Sequence, residues 1–239
     1  MDLKAVKEAS RPALLAGVAA AADNAQSLLD DAEWLAGAGR YARAYSLSAM
    51  AVEEFGKSIA LLTLSMLPRN VRAQAPVGRL LEWHHLKLVG GMLMAVLGVG
   101  PPDMTATLTA MPGTRLEQIL NTTGVFADDA DVLKRRGLYA DMDRHGRIQR
   151  PAEITEMEVS GQLAQARQVA SSASLIRDPG VQSRFADPPA EAVGLSRVMV
   201  RAFAEAKNIR TPKAAAAVAL EAVTKFKNTW PGGSGGELT

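Results

Sequence analysis

An all-α fold is what this sequence predicts, on three observations. Hydrophobic residues make up 48% of the 239-residue chain while aromatics make up only 5%. With alanine abundant, that balance suits close-packed helices better than the aromatic and β-branched demands of a sheet. Apolar residues recur at helical spacing through most of the chain, and no run of alternating strand-like segments appears. The stretch 44–67 carries no charge except Glu53, Glu54 and Lys57 and has no proline, so it reads as one long helix buried on most faces.

Along the chain, Arg11-Pro12 opens a first helix of about 13–36, with Leu14, Val18, Ala21, Ala25, Leu28, Leu29 and Ala32 on one face. Gly37-Ala38-Gly39 stops it, and so short a break makes the second helix, about 40–67, the return arm of a hairpin that Pro68 ends. A third helix is expected from Pro76 to Leu97, with Val77, Leu81, His84, Leu88, Met92 and Ala95 on an inward stripe and His85 on the surface. Residues 99–125, rich in Gly, Pro and Thr, read as a long connection with one helical turn at 115–120, and 128–137 as a short helix that Gly137 stops. Further helices are expected at about 153–176, 190–206 and 212–227, separated by a Pro/Asp-rich break at 178–189. The expected organisation is a helical bundle over 1–178, a C-terminal helical extension packed on it over 179–230, and a disordered Gly-rich tail at 231–239.

Composition excludes several function classes. A net charge of only +2, from 27 Lys+Arg against 25 Asp+Glu, makes any polyanion site local. The chain has no cysteine, so neither a disulfide framework nor a thiolate metal site or nucleophile is available, and a reducing, cytoplasmic setting is expected. The N-terminus lacks an apolar signal core, and charges near the middle of 44–67 argue against a membrane span.

On helical spacing Leu47, Met50, Glu54, Lys57 and Leu61 share a stripe, which puts a carboxylate and an ammonium where a core would hold leucines. Two accounts stay open. Glu53 precedes Lys57 by four residues, the favourable order for a helical ion pair, so the charges can simply neutralise each other. Alternatively the cluster borders a ligand or phosphate site, where perturbed ionisable groups collect.

Four landmarks in order, Leu28-Leu29-Asp30-Asp31-Ala32, Glu53-Glu54-x-Gly56-Lys57 after Arg43-Ala44, His84-x-x-Lys87, and Lys134-x-x-Gly137-Leu138-Tyr139-x-Asp141, resemble the AbiV family of abortive infection proteins, a branch of the all-helical HEPN superfamily. They cover roughly residues 24–160. The resemblance implies a HEPN-like bundle, a dimer with a composite cleft, and a metal-independent ribonuclease motif Arg-x4–6-His, here Arg79 to His84. The AbiV branch itself is marked better by Glu-Glu-x-Gly-Lys and His-x-x-Lys than by that ribonuclease motif.

Such cleavage needs a base for the 2′-OH, an acid for the leaving oxygen and a cation on the phosphorane-like transition state. The candidate catalytic residues are His84, Arg79 and Lys87, with Glu53, Glu54 and Lys57 beside them. Five residues apart on a regular helix, Arg79 and His84 point about 140° apart. They converge only if the helix starts after Arg79 or a second subunit completes the site. The competing account of His84 is a core histidine satisfied by Glu53 or Glu54. Candidate RNA contacts are Arg43, Lys134, Arg135, Tyr139, Asp141, Arg144 and Arg147, with Arg150, against a solvated loop for 144–150 and a buried hydroxyl and its acceptor for Tyr139 and Asp141. No cofactor is expected, and no metal, because the only histidines are His84, His85 and His145 and two adjacent helical histidines cannot easily share one ion. The expected partners are RNA and a second copy of the chain. A non-catalytic interaction module that binds a translation or phage protein is the alternative, and a nucleotide-binding sensor a third.

Overall fold

The computed structural model describes residues 2–97, 101–138, 141–142, 148–149, 154–174, 185, 187–206 and 209–230. Helices α1 (Leu3–Glu8), α2 (Arg11–Gly37) and α3 (Tyr41–Met66) come first. Ser10 caps α2 by accepting from the Ala13 N–H, with proline in the first turn as predicted. Between α2 and α3, Gly39 takes φ +71°, and Arg40 N donates to Leu35 O at 2.9 Å. That left-handed residue closes the helix end and turns the chain back.

α3 is the central helix and packs against α2 along its length and against helices from the rest of the chain. Its buried serines are satisfied within the helix: Ser48, Ser58 and Ser65 donate to Tyr45 O, Phe55 O and Leu62 O at 2.8, 2.6 and 2.7 Å. Pro68 starts a short α4 (Arg69–Gln74), whose buried Arg72 donates to Lys7 O at 3.2 Å and to Ala9 O, tying down the end of α1.

The expected third helix is broken. α5 (Val77–Glu82) and α6 (His84–Leu97) are separated by Trp83, which is extended at φ −72° and ψ 106°. Trp83 O accepts from Leu86 N and Lys87 N, so α6 starts afresh at His84.

The predicted long connection at 99–125 is also corrected. Within it, residues 101–110 form α7 (Pro101–Ala110) and 113–125 the first half of α8 (Gly113–Leu138), and the short helix expected at 128–137 is the second half of α8. Buried Leu116, Leu120, Thr123, Gly124, Ala127, Ala130, Asp131, Lys134 and Gly137 form one helical stripe along it. A two-residue antiparallel ladder follows, β1 (Asp141–Met142) with β2 (Ile148–Gln149), then α9 (Glu156–Ser174), α10 (Ala190–Glu205) and α11 (Pro212–Thr229). α9 opens with a capping box: Glu158 Oε2 accepts from Thr155 N at 2.7 Å, and Thr155 Oγ1 accepts from Glu158 N at 3.3 Å.

α6, α8 and α9 surround α3, and α11 lies across α8 and α6 with α10 beside it. The fold is an all-α bundle. The tail at 231–239 lies outside the described residues. No helix among the described residues is long and apolar enough to cross a membrane.

Candidate functional site

Three short motifs far apart in sequence meet at one place, and glycine decides where. A Cβ on Gly56 of α3 would stand 2.8 Å from Lys87 Cα and closer still to its carbonyl. One on Gly91 of α6 would overlap the backbone of Val52. These contacts bring the axes of α3 and α6 closer than side chains allow. Gly137 does the same for α8: a Cβ there would overlap Ser46 Oγ and Ala42 O, and the Ser46 hydroxyl lies 3.0 Å from Lys134 O. Gly137, expected to stop its helix, lies one residue before the helix ends at Leu138, and it also lets α8 approach α3 closely.

The crossings place Glu53 of α3 between Lys87 of α6 and Lys134 of α8. Lys134 Nζ donates to Glu53 Oε1, and Lys87 Nζ lies 3.8 Å from Glu53 Oε2. Lys134 Nζ is also 3.1 Å from Asp131 Oδ1, one turn back on α8, while the largely exposed Arg135 reaches Asp131 Oδ2 at 3.1 Å. His84 Nε2 stands 3.3 Å from Asp131 Oδ1. The two carboxylates thus face three permanent cations and one imidazole. Burial by itself raises Asp131, but His84 and then Lys134 outweigh it and hold this carboxyl well below the usual carboxylate range.

His84 is not a core residue. Its side chain is 42% exposed whereas that of Asp131 is 6% exposed, so an open imidazole stands on a buried carboxylate. The expected inward stripe carried the α5 register across Trp83, where the helix is interrupted. Its partner is Asp131, not Glu53 or Glu54. His85, expected on the surface and pointing elsewhere, is half-buried with its ring centroid 3.9 Å from that of His84. Burial lowers its pKa, and the neighbouring His84 adds to this.

Glu54 and Lys57 belong elsewhere. Lys57 Nζ pairs with Glu54 Oε2 at 3.0 Å, three residues apart rather than the four expected with Glu53, and Asn24 of α2 donates to the same oxygen at 3.2 Å. This pair lies in a groove against α1 and α2, with side chains 23% and 18% exposed, away from α6. Lys57→Met should cost at most about 1 kcal/mol in a urea melt, as for other solvent-screened pairs. A loss near 3 kcal/mol would put Lys57 back among the buried charges.

Of the remaining candidates, Arg43 is exposed in the first turns of α3, about 15 Å along the axis from Glu53. The side chains of Arg79 and Asp141 lie outside the described ones, as do Tyr139, Arg144, Arg147 and Arg150 entirely. Sequence reasoning missed Asp131 as a site residue. Its signal was the stripe on α8, where Asp131 and Lys134 occupy core positions. An apolar cavity of about 130 Å³ between α3, α6, α10 and α11 has no charged side chain among its described lining residues and takes no part in this cluster.

A family model, HEPN_AbiV (AbiV), matches residues 13–171. The match takes in α2 through most of α9, and with them every charged residue of the cluster. Neither the curated proteins nor the solved structures contain a match.

Proposed function

The chain belongs to the AbiV family of the HEPN superfamily, a family of abortive infection proteins, and from the site we infer that it is a phage-defence effector that cleaves cellular or phage RNA without a metal and so blocks translation. The observation that carries this reading is the open His84 imidazole on buried, ionised Asp131. A carboxylate behind a histidine fixes the ring and stabilises the imidazolium formed when it takes a proton.

His84 takes the 2′-OH proton as that oxygen attacks the adjacent phosphorus. The bond to the 5′ oxygen breaks, leaving a 2′,3′-cyclic phosphate, and the departing oxygen takes a proton from a second acid. A homodimer that brings two such sites into one cleft supplies that acid as a second imidazole. The three cations exceed the two carboxylates by one charge before His84 is counted, which favours an incoming phosphate. Arg135, at 63% exposed, is the cation of the cluster best placed to meet it. Arg79, Arg43, Arg144 and Arg147 extend the proposed RNA contact on the strength of sequence and family alone.

The alternative, a helical interaction module that arrests growth by binding a translation or phage protein, is favoured by one observation. Glu53 is already taken up by two ammonium groups, as a purely structural carboxylate is. His84→Ala separates the two. Incubated with total RNA and tRNA in EDTA, the wild type should cleave, and the folded variant should cleave 10²–10⁴-fold more slowly, about what loss of a general base costs. A folded His84→Ala that still arrests growth as the wild type does would eliminate the catalytic role. Light scattering should find particles of twice the 25.3 kDa chain mass, and 25 kDa particles alone at micromolar concentration would remove the composite cleft.

A further inference from the structure

Beside this reading, we propose that His84, His85 and Asp131 form a binding site for one divalent transition-metal ion of the zinc or cobalt class. The ligating atoms of all three lie within 4.8 Å of one another. Tetrahedral zinc with nitrogen and oxygen ligands at 2.0–2.2 Å spaces its ligands about 3.4 Å apart. The His84 Nε2 to Asp131 Oδ1 separation of 3.3 Å already has that spacing. It is long for an N–H···O bond, and Asp131 Oδ1, buried in a residue only 4% exposed, has no aligned hydrogen-bond donor in spite of its two close neighbours. A buried carboxylate oxygen held by close ion pairs rather than an aligned donor, with two imidazole nitrogens inside 4.8 Å, is suited to take a metal ion as its partner.

α6 starts afresh at His84 after the break at Trp83, and its first two residues hold their rings 3.9 Å apart, so the two imidazoles come together although consecutive helical positions point about 100° apart. Both are part-exposed, so an imidazole can close the remaining gap of at most about 1.4 Å to that spacing without disturbing the core.

The opposing charges have somewhere to go. Lys134 already donates to Glu53, which Lys87 also approaches, so it can leave Asp131 for the carboxylate it shares. Arg135 is largely exposed and can swing into water. Three protein ligands leave a fourth position open to water. Imidazole donors select the borderline first-row ions over magnesium and calcium.

With zinc on Nε2, the nitrogen that faces Asp131, the neutral imidazole carries its proton on Nδ1 and has no lone pair left to accept another. If the ribonuclease reading holds, zinc therefore switches the enzyme off, and the metal site stands or falls independently of that consequence. The test is a cobalt(II) titration of the full chain, purified without a histidine tag, read by visible d–d absorption. One equivalent should produce intense bands of a four- or five-coordinate ion, which zinc then abolishes by displacement. His85→Ala and Asp131→Asn should each weaken cobalt affinity at least tenfold, and His145→Ala, altering the chain's third histidine, should leave it unchanged. His85→Ala, at a part-exposed position, keeps the test meaningful if Asp131→Asn fails to fold. Only the weak spectrum of hexaaqua cobalt, or intense bands that persist unchanged in folded His85→Ala, would overturn the site. Cobalt binding without RNA cleavage in EDTA leaves the site standing and removes the ribonuclease. Cleavage in EDTA without cobalt binding does the reverse.

Discussion

Gly56→Ala should be among the most damaging single substitutions in the protein, costing about 3 kcal/mol or more, the upper end of what overpacking imposes. In a solvated helix the same change gains about 1 kcal/mol from propensity. Here the added methyl meets the carbonyl and Cα of Lys87, which are backbone and cannot rotate away. α6 must then lift off α3, opening the crossing that also seats Gly90 and Gly91. Gly161→Ala in α9 is the matched control, since a Cβ there meets nothing within 4 Å and should stabilise by up to about 1 kcal/mol. Urea melts of the two variants should move in opposite directions. A Gly56→Ala protein that melts like the wild type would mean that the helices do not cross at this residue, and the approach of Lys87 to Glu53 would go with it.

Gly56 also shows what kind of information the sequence carried openly. The bundle, the hairpin of α2 and α3 and the central place of α3 follow from periodicity and turn residues, which are local signals. Glu53-Glu54-x-Gly56-Lys57 was visible as an oddity in an oily helix, but the division of labour within it was not. Adjacent residues on a helix point about 100° apart, and only the positions of α2 and α6 decide that Glu53 turns to the cluster while Glu54 and Lys57 turn to Asn24. Nothing within residues 53–57 distinguishes the two carboxylates.

The misreadings share a physical cause. Thr122, Thr123 and Gly124 are weak helix formers, so α8 looked like a connection, and Asp128, Asp129 and Asp131 then looked like the start of a helix. Tertiary packing overrides that preference, because a stripe running from Leu116 to Gly137 lies against α3, α6 and α11. Once α8 is continuous, Asp131 falls on its buried face and becomes the partner of His84. The break at Trp83 left no comparable trace, since Leu-Leu-Glu-Trp-His-His contains neither proline nor glycine. A single helical register carried through that break puts His84 in the core and His85 on the surface.

Glu53→Gln should destabilise by about 3 kcal/mol, the low end for removing one partner of a buried ion pair. Lys134 keeps Asp131 at 3.1 Å, but Lys87 loses the carboxylate it approaches and remains largely buried. Lys134→Met should cost a similar amount for the converse reason, leaving Glu53 with Lys87 at 3.8 Å. The double variant Glu53→Met/Lys134→Met should then cost clearly less than the sum, because apolar side chains of similar volume remove both stranded charges at once. Denaturant melts of the four proteins give the coupling directly. Strict additivity would show that the two side chains do not share a buried bond. The same variants separate scaffold from chemistry. Glu53 touches two ammonium groups and, among the described residues, no group open to solvent, so its part is to hold α6 and α8 on α3. RNA cleavage by Glu53→Gln, corrected for the folded fraction, should therefore stay near that of the wild type while His84→Ala falls by orders of magnitude. An equal fall in both would make Glu53 part of the reacting site, and its two cations part of the phosphate-binding surface.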